Sequence, residues 1–366
     1  MPQHHAHTEP GSHSPHDPDY SRNPLIVTWE VTQACELKCD HCRADAQPDR
    51  HPDELSSEEG RALLDQIADF GSPTPILVFS GGDPLERTDL LDLLAYARGA
   101  GLQTGVTPAP TASLTESILN RFGELGVHRI ALSLDGATPV RHDTFRGEDG
   151  SFETICQAAE YASDIGLSTQ INTTVTAATV DELPGIANLV ESLDAVMWEV
   201  FFLVPIGRGE ALEQLSPTRT REVMEWLYRR GRDAPYRVIT VEAPFYRRVA
   251  HEVQRERGEE PSDVGSTGAG NGFVFVSHTG EVFPSGFMPV SAGNVRNQPL
   301  PDIYRDAYWM QQLRDRQSFE GSCGNCSFTL ICGGSRSRAY AETGNPIGSD
   351  PLCEYTGGHG TPTKTG

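Results

Sequence analysis

The chain has 366 residues, and its 51 acidic against 29 basic residues give a net charge of −22 with histidine neutral. This acidity argues against a nucleic-acid partner, because phosphate binding needs clustered Lys and Arg. No apolar run reaches the roughly 18 residues of a membrane span, and no signal-peptide apolar segment occurs near the N-terminus, so a cytoplasmic protein without a membrane partner is expected.

Residues 1–22 are rich in His, Pro, Ser and Asp, lack periodicity and are predicted to be a disordered tail. From residue 24, six short apolar runs alternate with helical stretches of about a dozen residues, several of which begin at Ser or Thr and end near Gly. Strands that are apolar on both faces and separated by helices indicate a parallel sheet. Residues 23–234 are therefore predicted to form an α/β domain, a partial TIM-type barrel of six βα units. The six strands are predicted at 24–29, 75–80, 102–106, 128–135, 168–175 and 198–204.

The C-terminal part is predicted to be a small cysteine-rich extension built from a β-hairpin and helices. Residues 235–271 are expected to be a connecting segment that ends in a linker rich in Gly and Ser. Residues 272–356 begin with GFVFVSHTGEVFPSG, which predicts a hairpin with its turn at residues 278–280, and 301–316 reads as a helix. Residues 357–366 are expected to be a second disordered tail.

Seven of the eight cysteines fall in two clusters, which in a reducing compartment indicates metal binding more than disulfides. Cys35, Cys39 and Cys42 follow the first strand, and three thiolates leave one iron of a [4Fe–4S] cube without a protein ligand. A catalytic zinc site also keeps an open position, but three cysteines within eight residues is a rare zinc arrangement. The second cluster supplies four thiolates, which suit either a tetrahedral zinc or a fully ligated cube. Its members are Cys323, Cys326, Cys332 and Cys353.

The first cysteine motif, C-x3-C-x2-C after strand one of a six-unit βα barrel, resembles that of the radical S-adenosylmethionine (SAM) enzymes. The resemblance implies that the three cysteines hold a [4Fe–4S] cluster whose fourth iron is chelated by the amino and carboxylate groups of SAM. It also implies reductive cleavage of SAM to a 5′-deoxyadenosyl radical, which abstracts a hydrogen atom from the substrate. On this reading Cys35, Cys39 and Cys42 are both metal-binding and catalytic.

Further motifs resemble the SAM-binding segments of the family. SGGDP after strand two is similar to the family's GGEP motif, with Asp in place of Glu, and SLDG ends strand four. An arginine in HDTFRG matches one that pairs with the SAM carboxylate, although an exposed loop arginine is an equal alternative. VPIGR after strand six is similar to the segment that touches the adenine. The SAM-binding residues that the resemblance implies are Gly81, Gly82, Asp83, Ser133, Asp135, Arg146, Pro205, Ile206 and Gly207.

The C-terminal half resembles the SPASM extension, in which auxiliary clusters lie beside the barrel mouth. A full SPASM domain carries two auxiliary clusters, but Ser285 and Arg336 occupy positions where further cysteines are expected. The resemblance therefore implies one auxiliary cluster, held by the four C-terminal cysteines, and two [4Fe–4S] clusters in total. Cys156, in an apparent helix, is predicted to be a buried apolar residue.

Within the superfamily the motifs look most like the branch of the alternative heme synthases and nitrite-reductase heme maturases. This implies oxidative decarboxylation of porphyrin propionates, an iron porphyrin as substrate and a ferredoxin- or flavodoxin-like electron donor. Arg208, Arg336 and Arg338 are candidates for binding the substrate carboxylates.

Two other functions remain open at this point. A SPASM-type maturase of a ribosomal peptide would usually carry an N-terminal peptide-binding unit, for which 22 residues give little room. A non-enzymatic iron–sulfur electron carrier or sensor would need no SAM pocket, so the GGDP, SLDG and PIGRG motifs count against it.

Overall fold

The computed structural model describes residues 19–260 and 267–355. The tails expected at 1–22 and 357–366 therefore lie outside the described residues, except for a turn in which Arg22 N–H donates to the carbonyl of Asp19. Part of the expected linker, residues 261–266, also lies outside them.

A parallel barrel sheet is the centre of the molecule, and it contains one strand more than the six expected. Neighbouring strands of the barrel pair in parallel and in chain order. The seventh strand lies in the segment expected to be a connection, where the β-branched run RVITV continues the sheet beside strand six. The partial barrel is thus confirmed and is longer than predicted. Its strands are β1 (Ile26–Thr32), β2 (Ile76–Gly81), β3 (Gln103–Val106), β4 (Arg129–Ser133), β5 (Thr169–Val175), β6 (Met197–Phe202) and β7 (Arg237–Val241).

Helices cover the outer face of this sheet, and their ends follow the capping residues of the sequence. Ser56 caps the first helix in a reciprocal pair with Glu59, and the hydroxyls of Thr115 and Ser216 cap two later helices. The helices are α1 (Ser57–Ala68), α2 (Leu90–Gly99), α3 (Glu116–Glu124), α4 (Pro139–Arg146), α5 (Ser151–Asp164), α6 (Leu183–Ser192), α7 (Pro217–Asp233) and α8 (Tyr246–Glu256).

The C-terminal extension continues the barrel sheet. The predicted hairpin is present, and its first strand pairs in parallel with β1, Ile26 lying opposite Phe273. The strands of the extension are β8 (Gly268–Ala269), β9 (Gly272–Val276), β10 (Glu281–Phe283) and β11 (Gly293–Asn294). The sheet therefore runs in the order β11-β10-β9-β1-β2-β3-β4-β5-β6-β7.

The helix predicted over 301–316 is broken in two by the extended backbone of Ala307. Arg314 folds back and donates to the carbonyls of Tyr304 and Arg305, which satisfies the end of the first half. The extension's helices are α9 (Leu300–Asp306), α10 (Tyr308–Arg314), α11 (Gly321–Gly324) and α12 (Arg336–Thr343).

The two faces of the barrel strands differ in character. The outward side chains, such as Val27, Trp29 and Ile171, are fully buried under the helices and form the core. The inward positions of β5 are polar and only half-buried, namely Gln170, Asn172 and Thr174. This alternation builds a polar interior that opens at the carboxyl ends of the strands. Within the described residues no helix is long and apolar enough to span a bilayer.

Candidate active site

The three N-terminal cysteines lie together on the loop that follows β1. Cys35 and Cys39 are buried in a small apolar cluster with Leu37 and Ala46, and Cys42 packs against it. Each sulfur accepts an N–H donor: Leu37 N at 3.4 Å for Cys35, Ala46 N at 3.5 Å for Cys42, and an Arg146 guanidinium nitrogen at 3.7 Å for Cys39.

Burial raises the pKa of Cys35 to about 12, so its thiolate needs a cation beside it to form at neutral pH. Three sulfurs on one loop that each accept an N–H bond suit the thiolate ligands of an iron–sulfur cluster, whose potential depends on such bonds. The residues present therefore fit a [4Fe–4S] cluster with three protein ligands.

The segment after β6 packs directly on this cysteine loop. The side chain of Arg208 donates through Nε to the carbonyl of Cys39 at 2.9 Å, and its backbone N–H donates to the carbonyl of Cys42 at 3.1 Å. Gly207 has φ +55°, and a Cβ there would lie 2.6 Å from the carbonyl oxygens of Cys42 and Arg43. The structure thus packs Gly207 and Arg208 directly against the cysteine loop.

The GGDP motif lies on the other side of the same loop. A Cβ on Gly82 would lie 2.6 Å from the carbonyl oxygen of Gln33 and would also overlap that of Ala34, so glycine lets the end of β2 approach the loop. The Asp83 carboxylate is fully buried and accepts from Leu85 N, Ala109 N and Thr111 Oγ1 at 2.9–3.2 Å. These three donors hold Asp83 in place, although burial raises the pKa of its carboxyl.

Asp135 and Arg146 form a buried ion pair of 2.5 Å at the end of β4. Burial opposes the charge of Asp135, but Arg146 outweighs it and the pKa of that carboxyl is lowered. Since Arg146 is buried and also contacts Cys39, the alternative of an exposed loop arginine is wrong. Its Nε has no hydrogen-bond partner among the described residues. Ser133 is in register with Asn172 on β5, one strand away.

His41, within the cysteine loop, is stacked on Phe145 with ring centroids 4.8 Å apart. Burial lowers the pKa of His41 to about 4, so the ring is neutral at physiological pH.

The four C-terminal cysteines surround a single cavity, together with Gly333 and Gly334. Backbone N–H groups of Phe328, Gly334 and Asp350 donate at 3.3–3.4 Å to the sulfurs of Cys326, Cys332 and Cys323 respectively. A Cβ on Gly334 would lie 2.9 Å from the Cys323 sulfur, so the glycine leaves room at the site. The donor set fits a group bound by four thiolates.

A polar network includes Ser285, one of the two positions where the SPASM resemblance leads us to expect a further cysteine. The carboxylate of Glu242 accepts the hydroxyls of Ser285, Ser335 and Ser337 at 2.5–3.1 Å. Glu242 has φ +55°, a strained conformation for a residue with a side chain.

The three arginines suggested for substrate carboxylates have other partners, and the prediction is wrong for Arg336 and Arg338, which are buried. Arg338 is fully buried, pairs with Asp350 at 3.3 Å and donates to carbonyls at the ends of β6 and β7. Arg336 donates to the Cys323 sulfur and to carbonyls of the extension. Arg208 holds the cysteine loop, as described above, but its Nη2 has no hydrogen-bond partner among the described residues. Arg336 and Arg338 thus stabilise the site through their buried contacts.

A cleft of about 590 Å³ lies between the cysteine loop, the segment after β6, the β9–β10 hairpin and α12. Its lining includes residues that the sequence analysis missed: Glu30, Arg43 and His278. The sequence carries a signal for two of these three residues. Glu30 places a charge within an apolar strand, and Arg43 follows the third cysteine directly. Phe275 lies in the wall of the cleft, with the Arg43 guanidinium carbon 4.5 Å from its ring centroid.

Comparisons with known proteins agree with this geometry. The Radical SAM superfamily model matches residues 29–190, and the SPASM model, an iron-sulfur cluster-binding domain, matches residues 268–327. An AdoMet-dependent heme synthase of Nitratidesulfovibrio vulgaris is 37% identical over 97% of this chain and 99% of its own length. One of Methanosarcina barkeri is 36% identical over 92% and 97%. A pre-heme d1 synthase of Dinoroseobacter shibae is 28% identical over 90% and 86%.

Solved structures show the same fold. Streptococcus suis SuiB bound to S-adenosylmethionine superposes with a TM-score of 0.72 at 17% identity, over 91% of this chain and 78% of SuiB. The anSMEcpe structure with bound AdoMet has a TM-score of 0.68 at 16% identity, over 90% and 94%. The family models and the heme synthase similarity agree with the three-cysteine loop and the four-cysteine cavity. The chain belongs to the radical SAM superfamily and is an enzyme that uses SAM and a [4Fe–4S] cluster, with a SPASM iron–sulfur domain at its C-terminal end.

Proposed function

We propose that this enzyme oxidatively decarboxylates propionate side chains of an iron porphyrin in heme biosynthesis. The observation that carries the proposal is the similarity to AdoMet-dependent heme synthases, which are 36–37% identical over 90–97% of the chain. Relatives named Fe-coproporphyrin III synthase and pre-heme d1 synthase follow at 32% and 28% identity.

The reaction requires a balanced removal of atoms and electrons. Bound SAM and its cluster would supply a 5′-deoxyadenosyl radical able to remove one hydrogen atom from the propionate carbon next to the ring. The side-chain radical would then lose carbon dioxide and pass one electron to an oxidised iron–sulfur cluster, such as the one proposed at the four-cysteine site, which leaves a vinyl group. This chain's part is to hold the porphyrin side chain beside the cysteine loop and to exclude water from it.

The cleft supports a porphyrin as the substrate class. Its volume of about 590 Å³ lies within the roughly 300–1,000 Å³ usual for small-molecule sites. Phe275 and Phe283 line the cleft and stack on each other with ring centroids 6.2 Å apart, which suits a flat apolar ring. Arg43, in the same lining, belongs to the cysteine loop, so a substrate in the cleft lies next to the chemistry.

The experiment that tests the function is anaerobic reconstitution followed by reaction with SAM, dithionite and iron coproporphyrin III. Mass spectrometry should detect 5′-deoxyadenosine together with porphyrin that has lost carbon dioxide and two hydrogens per reacted side chain. The Cys35→Ala variant, which lacks one cluster ligand, should form neither product. Deoxyadenosine with unchanged porphyrin would overturn the porphyrin reading and leave the radical enzyme.

We also infer a cofactor content of two [4Fe–4S] clusters, with SAM bound over the first. The four thiolates around one cavity and the oxygen network at Ser285 and Glu242 support one auxiliary cluster and no more. The inferred SAM contacts come from the ends of β2 and β4, the end of α4 and the segment after β6: Gly81, Gly82, Asp83, Ser133, Asp135, Arg146, Pro205, Ile206 and Gly207. The reducing electron is expected from a ferredoxin- or flavodoxin-like protein.

Iron analysis tests this cofactor content. The reconstituted enzyme should hold about eight irons per chain and the Cys323→Ala/Cys332→Ala variant about four, while that variant still cleaves SAM. About twelve irons in the wild-type enzyme would mean a further cluster at the Glu242 network and would contradict the proposal.

Peptide maturation is the second candidate, favoured by relatives named mycofactocin maturase MftC. That of Mycobacterium tuberculosis is 28% identical over 93% of this chain, which is weaker than the heme synthase similarity. Intact SAM cleavage without binding or conversion of a porphyrin would favour this second function.

A further inference from the structure

His278 lies in the turn between β9 and β10 and lines the cleft. Its Nδ1 is 2.6 Å from Oε1 of Glu30, a residue of β1 in the barrel wall. The other oxygen of Glu30 accepts from Arg43 at 2.9 Å. The carboxylate of Glu30 thus links the hairpin of the extension to the cysteine loop, at the wall of the cleft.

The charge of Glu30 determines which nitrogen of His278 carries the proton. The Arg43 guanidinium pairs with Glu30 at 2.9 Å, so the carboxylate has a cation beside it and is held as an anion. An ionised carboxylate only accepts, so Nδ1 of His278 must be the donor. In the neutral ring the lone pair is then on Nε2, and no hydrogen bond to Nε2 occurs in residues 19–260 and 267–355.

The ring is also held in place by its surroundings. Its side chain is 14% exposed, against 5% for Glu30, and the ring of His51 contacts it edge-on with centroids 5.3 Å apart. The backbone carbonyl of His278 accepts from Leu55 N at 2.8 Å. A histidine held this firmly needs little reorganisation to bind a ligand through Nε2.

A histidine whose Nδ1–H donates to a carboxylate, with Nε2 directed to an open site, is the usual arrangement of a metal-ligating histidine. We propose that Nε2 of His278 is an axial ligand of the iron of the porphyrin bound in the cleft, and that Glu30 positions the ring. The inference rests on the proposed function, because it takes an iron porphyrin as the substrate. Ligation through this ring would fix the macrocycle between the extension and the cysteine loop.

The test measures binding to the full-length enzyme with its clusters, without SAM or reductant. Wild-type enzyme and the His278→Ala variant are titrated with ferric coproporphyrin III and, separately, with metal-free coproporphyrin III. We expect His278→Ala to raise Kd for the ferric porphyrin about 10-fold or more and to leave Kd for the metal-free porphyrin unchanged. The absorption and electron paramagnetic resonance spectra of the bound ferric porphyrin should change, and added imidazole should restore them.

Two further variants separate ligation from a general change of the cleft. His128→Ala removes an exposed histidine that does not line the cleft, and it should leave both affinities and the spectra unchanged. Glu30→Gln should shift the ferric spectra in the same direction as His278→Ala, because the ring loses its carboxylate partner.

An equal loss of affinity for both porphyrins in His278→Ala, or unchanged spectra, would overturn the ligation and leave the proposed function standing. If the wild-type enzyme bound neither porphyrin, the proposed function itself would fail.

Discussion

Glu199 lies in the polar interior of the barrel, on β6. It is in register with Asn172 on β5, which in turn is in register with Ser133 on β4. Burial raises the pKa of Glu199 to about 7, against the opposing charge of Arg129. The carboxyl is therefore largely protonated below pH 7 in the folded protein, where an exposed glutamate would be ionised.

This pKa predicts how stability depends on pH. Between about pH 4.5 and 7 the unfolded chain has lost the Glu199 proton while the folded chain keeps it, so the free energy of unfolding falls as pH rises. Glu199→Gln should remove that fall. The free energy of unfolding of Glu199→Gln, measured relative to the wild type, should be about 1–3 kcal/mol higher at pH 8 than at pH 5. Anaerobic thermal unfolding at both pH values checks this.

The control is Glu160→Gln, which changes an exposed glutamate of α5 and should show no difference between the two pH values. A constant offset between Glu199→Gln and the wild type at pH 5 and 8 would contradict the raised pKa.

Single residues were predictable where a chemical pattern was complete within a few positions. The three N-terminal cysteines and the glycines of GGDP belong to such patterns, and the structure places both sets at the loop that follows β1. Arg336 and Arg338 were misjudged because a long cationic side chain gives no sign in the sequence of whether it is buried. His278 and Glu30 were missed because they are 248 positions apart in the sequence and only the fold brings them into contact.

At the scale of elements, the end of β2 and the cysteine loop approach so closely that position 82 has no room for a side chain. Gly82→Ala would place its Cβ 2.6 Å from the carbonyl oxygen of Gln33, and backbone at that distance must move. We expect the loop to shift, iron at the first site to fall, and 5′-deoxyadenosine formation to be lost. Iron analysis and chromatography of the SAM products measure both effects.

Gly99→Ala is the matched control. Gly99 ends α2, and a Cβ there meets nothing within 4 Å, so this variant should keep full activity and gain about 0.5–1 kcal/mol of stability. Normal cluster content in Gly82→Ala would show that the loop tolerates the displacement.

The strands β1–β6 were predictable because short runs of β-branched and apolar residues alternate with helical stretches along the chain. β7 was missed since RVITV is short and begins with an exposed arginine, so its pairing with β6 gave no strong pattern. The helix break at Ala307 depends on Arg314 reaching back to the end of α9, a tertiary contact that local sequence does not reveal.

At the scale of the whole molecule, Arg338 joins the extension to the barrel. It is fully buried, pairs with the fully buried Asp350, and donates to the carbonyls of Leu203 after β6 and Glu242 after β7. Arg338→Met should cost about 3–5 kcal/mol, because Asp350 is left as an unpaired buried charge. The thermal midpoint should fall, and iron should be lost first from the four-cysteine site.

Arg219→Met tests whether this effect is particular to burial. Arg219 is an α7 arginine that pairs with Asp181 and Glu222 at the surface, and its replacement should change stability by about 0.5 kcal/mol or less. Equal midpoints for the two variants would show that Arg338 does not hold the extension.

The parallel pairing of β1 with β9 has a consequence for how the chain is made. The partner of Ile26 is Phe273, which leaves the ribosome about 250 residues later. At about 5–20 residues per second this delay is roughly 12 to 50 s. During that time one edge of β1 lacks its neighbour, and the cysteine loop that follows β1 is not yet covered by the extension. Synthesis thus provides a period in which iron and sulfide can be delivered to the first site before the extension closes over it, while the open strand edge needs protection from other nascent chains.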